Sequence, residues 1–220
     1  MTKRRLQHRV LKLWRNDYLT YKYLWPNIEW AVRTSLERSS SPSPIVLDLG
    51  CGNQPYRDLF PTANYLGMDR GSFDSSPDFV GDALCLQIKD QSVDIVFATQ
   101  VIEHVTKPDL MLRECKRVLR ADGSLILSGP FYWPLHEEPY DFFRFTKYGF
   151  QHLVRDAGFS EWQIREDGGD WAQLMLSVSL RLNSRLLIPL ICAVNITGAV
   201  LDGMRPSRRS PANYTVLARS

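Results

Sequence analysis

Two glycines and two acids follow short apolar runs in the first half of the chain. Gly50 and Gly52 come directly after the run 45–49, and glycine lets the backbone turn tightly and approach a ligand because it has no Cβ. Asp69 ends the next apolar run, where a carboxylate can accept hydrogen bonds from both hydroxyls of a ribose. Asp82 ends the third run, where it can accept from an adenine amine. This spacing predicts a site for a cofactor that contains adenosine.

Two cofactors use such a layout. A dinucleotide requires the pattern G-x-G-x-x-G, so that its pyrophosphate can lie on a helix N-terminus. In this chain Pro55 stands where the third glycine would be. S-adenosylmethionine has no phosphate and requires only the first two glycines and the acids. The sequence therefore favours S-adenosylmethionine over a dinucleotide.

A second group of reactive side chains lies between residues 130 and 146, with one imidazole, three carboxylates and one guanidinium among aromatic rings. Transfer of a methyl group to a hydroxyl requires an aligned nucleophile and removal of its proton. We predict that His136 is the general base, because histidine titrates in the appropriate range. Glu137 or Glu138 is predicted to orient its ring.

The remaining polar residues of this segment are predicted to form the acceptor pocket. Tyr132, Tyr140 and Arg144 would shape it, and Asp141 is a further catalytic candidate. The alternative for Asp141 is structural, since at i,i+3 spacing it can pair with Arg144 and fix the loop.

Glu103 and His104 form another candidate pair. His104 is predicted to contact the substrate or to pack beneath it. The pair resembles part of a Glu-x-x-Glu-His run that is associated with a metal in some ubiquinone-pathway methyltransferases, but the first acid of that run is replaced here by Gln100. We therefore predict no metal site.

The elements that must position these residues alternate between strands and helices, which predicts an α/β fold with a parallel sheet covered on both faces. Thr146 is predicted to cap a helix over 147–157, with Gly158 as its end. Apolar runs and turn residues predict seven strands, at 45–49, 65–69, 78–82, 93–98, 124–128, 162–165 and 214–218.

The domain boundaries follow from composition. Residues 1–38 are predicted to form a helical N-terminal arm, with a helix over 3–24 that Pro26 breaks or restarts. A serine- and proline-rich linker then leads to one domain over 44–220, with an apolar helical insert at about 171–212.

Charge divides the chain into three parts. Residues 1–40 hold nine basic and three acidic residues, residues 41–180 hold twelve and twenty, and residues 181–220 hold six and one. Basic ends suit a phosphate surface or are simply solvated. The uncharged segment 186–201 is either a buried helix over the acceptor pocket or a peripheral contact with a membrane.

The spaced cysteines and the lack of a secretory signal pattern predict a cytoplasmic protein, membrane-associated at the inner face if that contact forms.

Four ordered segments resemble the motifs of class I S-adenosylmethionine-dependent methyltransferases: 46–52, 81–83, 98–105 and 118–125. The segment 136–144 is similar to one in bacterial type-11 methyltransferases, some of which are linked to glycan and cell-surface biosynthesis. The resemblance implies a Rossmann-like fold with a seven-stranded, mostly parallel sheet whose last strand is antiparallel. It also implies that the cofactor is bound by Asp48, Gly50, Cys51, Gly52, Asp69, Arg70, Asp82, Ala83, Thr99 and Gln100.

The function implied is methyl transfer to an oxygen or nitrogen of a small molecule or a glycan, with a lipid-linked glycan as one candidate. Two alternatives stay open. A nucleic-acid methyltransferase would also use basic ends, but Thr99-Gln100-Val101-Ile102 stands where an Asn-Pro-Pro-Tyr-like motif would be, so we expect no nucleic-acid partner. A non-catalytic module would bind the cofactor without turnover.

Overall fold

Seven strands form a single sheet in the computed structural model, which describes residues 11–71, 75–182 and 184–220. The order across the sheet is β3-β2-β1-β4-β5-β7-β6. Strand β7 runs in the opposite direction to the other six strands. This confirms the predicted mostly parallel sheet with an antiparallel last strand. In chain order the strands are β1 (Ile45–Leu49), β2 (Asn64–Asp69), β3 (Phe79–Val80), β4 (Val93–Thr99), β5 (Leu119–Pro130), β6 (Glu161–Asp167) and β7 (Asn213–Arg219).

Helices cover both faces of the sheet, as the α/β prediction requires. One face packs against apolar side chains of α2 and α3, and the other packs against α1. Thr146 caps α3 as predicted, with its hydroxyl accepting a hydrogen bond from the Gly149 amide at 3.0 Å. The helices are α1 (Tyr18–Arg38), α2 (Pro108–Val118), α3 (Lys147–Asp156), α4 (Asp170–Ser179) and α5 (Ile188–Met204).

The N-terminal helix differs from its prediction at two points. It begins at Tyr18, and the described residues before it form turns, while the predicted helical residues 1–10 lie outside the described part. The predicted break at Pro26 is wrong, because α1 continues through it. The buried side chains Leu24 and Ile28 lie on either side of the proline and remain in phase. Their burial against the sheet offsets the hydrogen bond that a proline cannot donate.

The chain between β6 and β7 contains α4 and α5, which pack against each other. In α5 the inward residues include Asn195, Gly198 and Asp202, whereas large apolar side chains point outward. By length and composition the stretch Arg185–Met204 could cross a membrane, and 28% of its most apolar part is buried in the protein. Helix α5 therefore turns polar and small residues toward the protein and exposes large apolar residues.

Candidate active site

A cavity of about 580 Å³ opens at the carboxyl ends of β1 and β4, which is where open α/β sheets bind ligands. Its volume lies within the range of small-molecule sites. Six of the ten predicted cofactor residues line it together: Asp48, Gly50, Cys51, Gly52, Thr99 and Gln100.

The turn after β1 has a backbone conformation that favours glycine. Gly50 has φ +64° and Gly52 has φ +50°. A Cβ at Gly50 would lie 2.4 Å from a methyl group of Val101, whereas a Cβ at Gly52 would meet no atom within 4 Å. The first glycine thus allows two loops to approach each other. The second leaves its backbone open to the cavity, where a ligand can contact it closely.

Gln54 also adopts a left-handed conformation, with φ 54°, although it is not a glycine. Its buried side chain compensates for that conformation with several hydrogen bonds. The amide nitrogen donates to the Ser76 carbonyl at 2.9 Å, and the amide oxygen accepts from Arg57 at 2.6 Å. These contacts hold the loop more firmly than a glycine at this position could.

Asp48 lies at the inner end of the cavity and is almost fully buried. The Tyr65 hydroxyl donates a hydrogen bond to its carboxyl group. Removal from water raises the pKa of Asp48 to about 8, although the hydrogen bond from Tyr65 opposes this shift. The Asp48 carboxyl is therefore largely protonated at neutral pH, and its contact with Tyr65 fixes the end of β1 against β2.

The raised pKa of Asp48 has a measurable consequence for stability. The folded protein keeps this proton between about pH 3.8 and 8, where the unfolded chain has lost it. Stability must therefore fall as pH rises through this range. Asp48→Asn should make the free energy of unfolding less dependent on pH, by up to about 1.4 kcal/mol per unit. Urea unfolding of both proteins across the range tests this, and parallel curves would contradict the raised pKa.

The other four predicted cofactor residues lie outside the lining of the cavity, toward β3. Asp69 accepts hydrogen bonds from the amides of Gly52 at 2.9 Å and Gly71 at 3.2 Å. Its oxygens retain further lone pairs that could accept from a ribose. Arg70 and Asp82 are exposed, with 3.9 Å between their charged groups, and Ala83 is buried beside them. Their roles toward adenine remain predictions.

One wall of the cavity comes from the N-terminal arm. Several residues that line the cavity were not predicted from the sequence, because they belong to no recognisable motif. On the arm, at the start of α1, they are Asp17, Thr20, Tyr21 and Leu24, and elsewhere they include Tyr56 and Trp133.

His136 lines the same cavity and is oriented by Asp141. Its Nδ1 lies 3.2 Å from a carboxylate oxygen of Asp141, and its backbone amide donates to that oxygen at 3.1 Å. The predicted partners were Glu137 or Glu138, but Glu137 instead points its carboxylate toward His104, at 3.8 Å. Asp141 replaces them because the loop folds back by five residues, which linear spacing does not reveal.

Arg144 fixes Asp141 through two parallel hydrogen bonds, of 2.6 and 2.7 Å. It also donates to the carbonyls of Trp133 and Pro134. The guanidinium lowers the pKa of the Asp141 carboxyl well below its usual range. This geometry supports the structural alternative for the Asp141–Arg144 pair and gives Arg144 a positioning role in the loop.

The two predicted tyrosines are not among the residues that line the cavity. Tyr132 forms hydrogen bonds with Ser177 in α4 and with Arg181 just after it, and these bonds lower the pKa of the tyrosine. They connect the segment after β5 to α4. Tyr140 is exposed, and its carbonyl oxygen lies 2.7 Å from Nδ1 of His104. A direct contact of either ring with an acceptor remains a prediction.

His104 lies at the cavity wall beside His136, with ring centroids 4.7 Å apart and planes at 74°. Behind it Glu103 is completely buried. Burial raises the pKa of Glu103 to about 8. One potential ligand atom from each of Glu103, His104 and His136 lies within 4.8 Å of the others. The structure thus assembles a donor cluster where the sequence predicted no metal.

Comparison with known proteins agrees with this site. The type-11 family model, described as a methyltransferase domain, matches residues 47–127. The malonyl-[acyl-carrier protein] O-methyltransferase of Methylococcus capsulatus is 34% identical over 108 residues, which cover 41% of this chain and 39% of that protein. The match thus spans well under half of that curated relative.

Solved structures share the fold over most of the chain. A methyltransferase from Archaeoglobus fulgidus has a TM-score of 0.59 at 16% identity, covering 90% of this chain and 96% of its own. One from Thermotoga maritima has a TM-score of 0.59 at 15% identity, covering 98% of each chain.

The cavity fits the cofactor of these proteins. At Gly52 the backbone is open to the cavity, so a ligand can contact it closely. Pro55 stands where the binding of a pyrophosphate would require a glycine. Residues 47–127 thus match the type-11 methyltransferase domain, solved S-adenosylmethionine-dependent methyltransferases share the fold, and the cavity suits S-adenosylmethionine as cosubstrate.

Proposed function

We propose that this chain transfers the methyl group of S-adenosylmethionine to a hydroxyl oxygen of a small-molecule or glycan acceptor. The observation that carries the proposal is the His136–Asp141 pair at the wall of the cofactor cavity. A hydroxyl has to lose its proton as the methyl group arrives, and the pair places an oriented imidazole where that proton can leave. The sulfonium departs as a neutral thioether, so the reaction requires no general acid.

Two observations favour oxygen of a small acceptor over the alternatives. The Methylococcus capsulatus relative is named an O-methyltransferase. The cavity wall also includes Glu137, whose side chain is 72% exposed, and its carboxylate would repel the phosphates of a nucleic acid.

Transfer of tritium from methyl-labelled S-adenosylmethionine tests the proposal. The full chain would be incubated separately with a water-soluble glycan fraction, a lipid extract and total RNA from bacterial cells. Label in the glycan or lipid fraction, stable to alkali as an ether is, supports the proposal. Label confined to RNA would identify a nucleic-acid enzyme. Binding of S-adenosylhomocysteine without transfer to any fraction would identify a non-catalytic module.

We further propose that the acceptor is lipid-linked and is met at an anionic membrane surface. Exposed apolar side chains of α4 and α5, two helices that pack against each other, support this, since large exposed apolar surfaces often mark sites of interaction. Arginines lie at both ends of the α5 region and would face lipid phosphates: Arg181 and Arg185 at the start, and Arg205, Arg208 and Arg209 at the end. The apolar patch comprises Leu174, Val178, Leu186, Ile188, Leu190, Ile196, Val200 and Met204.

Peripheral contact suits this helix better than a span because its inner face is committed to the protein. Asn195 donates hydrogen bonds to the carbonyls of Leu13 and Arg15, at 2.7 and 2.9 Å. Asp202 accepts one from the Ala172 amide at 3.3 Å. A spanning helix would have to break these contacts. Since Leu13 and Arg15 lead directly into α1, the same contacts connect the patch with the cavity wall.

Sedimentation with vesicles tests the membrane surface. The wild-type protein should bind vesicles that contain phosphatidylglycerol, and the variant with Leu190→Glu and Val200→Glu should bind at least about tenfold more weakly, because two apolar side chains no longer enter the lipid. Tyr148→Glu on α3 is the matched control, since it adds charge at an exposed aromatic residue away from the patch. Equal binding of all three proteins would contradict the surface.

A further inference from the structure

Glu103 is a buried carboxyl group without a visible partner. Its side chain is fully enclosed, and neither carboxyl oxygen has a hydrogen-bond partner among the described residues. Buried polar groups in native proteins nearly always have partners, and an exception requires an explanation. The nearest candidate is His104, whose Nε2 lies 3.9 Å from Oε1 of Glu103, too far for a hydrogen bond. One metal ion at about 2 Å from each atom could bridge this distance.

His104 is arranged as a ligand rather than as a surface residue. Its Nδ1 lies 2.7 Å from the Tyr140 carbonyl, which can only accept a hydrogen bond, so this nitrogen carries the proton. The lone pair is thereby on Nε2, which faces Glu103 and, at 3.8 Å, the carboxylate of Glu137. Histidines that bind metals are typically held in this way, with the outer nitrogen donating to a carbonyl or carboxylate.

His136 repeats the same arrangement from a different loop. Its Nδ1 lies near two acceptors, the Asp141 carboxylate at 3.2 Å and the Pro134 carbonyl at 3.3 Å. The proton on Nδ1 leaves the lone pair on Nε2. Arg144 holds Asp141 in turn, so an imidazole, a carboxylate and a guanidinium are fixed in series, as in a carboxylate–histidine–metal triad.

We propose that Glu103, His104 and His136 bind a divalent first-row transition-metal ion, with Glu137 as a further ligand from the rim. The potential ligand atoms of the first three lie within 4.8 Å of one another, so side-chain shifts of about 1 Å would let all three reach one ion at metal–ligand distances of about 2 Å. Two imidazoles with carboxylates suit zinc, iron or cobalt better than magnesium, which prefers oxygen ligands only. Two carboxylates would also balance the charge of the ion.

This inference rests on the proposed methyl transfer and states how His136 would serve it. The ion would hold the acceptor oxygen and lower the pKa of its hydroxyl, as zinc does for water. The hydroxyl proton passes to solvent. The oxygen then forms a bond to the methyl carbon while the carbon–sulfur bond breaks, and its electron pair stays on sulfur. His136 would be a ligand in the loaded enzyme, and its Nε2 would be a proton acceptor only in the metal-free protein.

Titration of the chelator-treated full chain with Co²⁺ tests the site directly, by calorimetry and by visible absorption. The wild-type protein should bind one ion, with the spectrum of nitrogen and oxygen ligands and no thiolate charge-transfer band. Glu103→Gln keeps the shape of the side chain and should weaken binding by at least tenfold. His152→Ala is the matched control, because His152 lies exposed on α3 beside Asp156, and this variant should bind as the wild type does.

Binding of S-adenosylhomocysteine by each variant separates this inference from the proposed function. It should be retained in Glu103→Gln, which shows that the variant is folded. No Co²⁺ binding by the wild type, or equal binding by Glu103→Gln, overturns the metal site. If methyl transfer to the acceptor fractions still occurs in either case, the proposed function stands without it. Specific Co²⁺ binding without methyl transfer would support the site and refute the proposed function.

Discussion

Arg144→Ala is expected to lower the free energy of unfolding by about 3 kcal/mol, because it leaves the buried carboxylate of Asp141 without its counter-ion. The Asp141 side chain is 1% exposed, and Arg144 supplies two of its hydrogen bonds. Since Arg144 itself is 25% exposed, we expect the lower end of the usual range. Turnover should fall as well, because His136 loses its orientation.

The pH dependence of this variant follows from the depressed pKa of Asp141. A carboxyl whose folded-state pKa is lowered contributes stability above its unfolded pKa, and this contribution is lost as pH falls through the folded value. The difference between wild type and Arg144→Ala should therefore be largest at neutral pH and shrink in acid. Adding Asp141→Asn to the variant should recover part of the stability, because no buried charge remains. An equal loss in acid and at neutral pH would refute this account.

His136→Gln is expected to reduce turnover by about 10²- to 10⁴-fold, the usual effect of losing a residue that promotes proton transfer. Affinity for S-adenosylhomocysteine should be unchanged, because His136 is not among the predicted cofactor residues that line the cavity. Single-turnover methyl transfer and calorimetry measure the two quantities. His152→Gln is the control and should retain both. Unchanged turnover in His136→Gln would remove this residue from the reaction.

Most of the fold could be predicted because its signals are local. Each buried parallel strand is a short apolar run, and the Gly50–Gly52 turn and the Thr146 cap are encoded in adjacent residues. The break at Pro26 was predicted wrongly because a proline's local cost is visible in the sequence, whereas the burial that offsets it comes from the distant sheet. Which face of α5 packs against the protein could not be predicted either, since the helix is apolar on all sides in its sequence.

The residues of the site could largely be predicted from the sequence, whereas the contacts between their side chains could not. The acids and glycines near β1 and β4 fall at strand ends, and the parallel topology brings strand ends together. Asp141 could not be assigned as the partner of His136, because a folded-back loop decides that contact. The convergence of Glu103 with His136 joins two loops that follow different strands, and the wall from α1 depends on how that helix docks.

Calorimetric titration of the full chain with S-adenosylhomocysteine, in parallel with NADH, would establish which cofactor the cavity binds. The chain is expected to bind S-adenosylhomocysteine and not NADH. Asp69→Ala should weaken the binding by at least about tenfold, because a charged acceptor of ribose hydrogen bonds is lost. Binding of NADH instead, or of neither compound, would contradict the assignment of this cavity to S-adenosylmethionine.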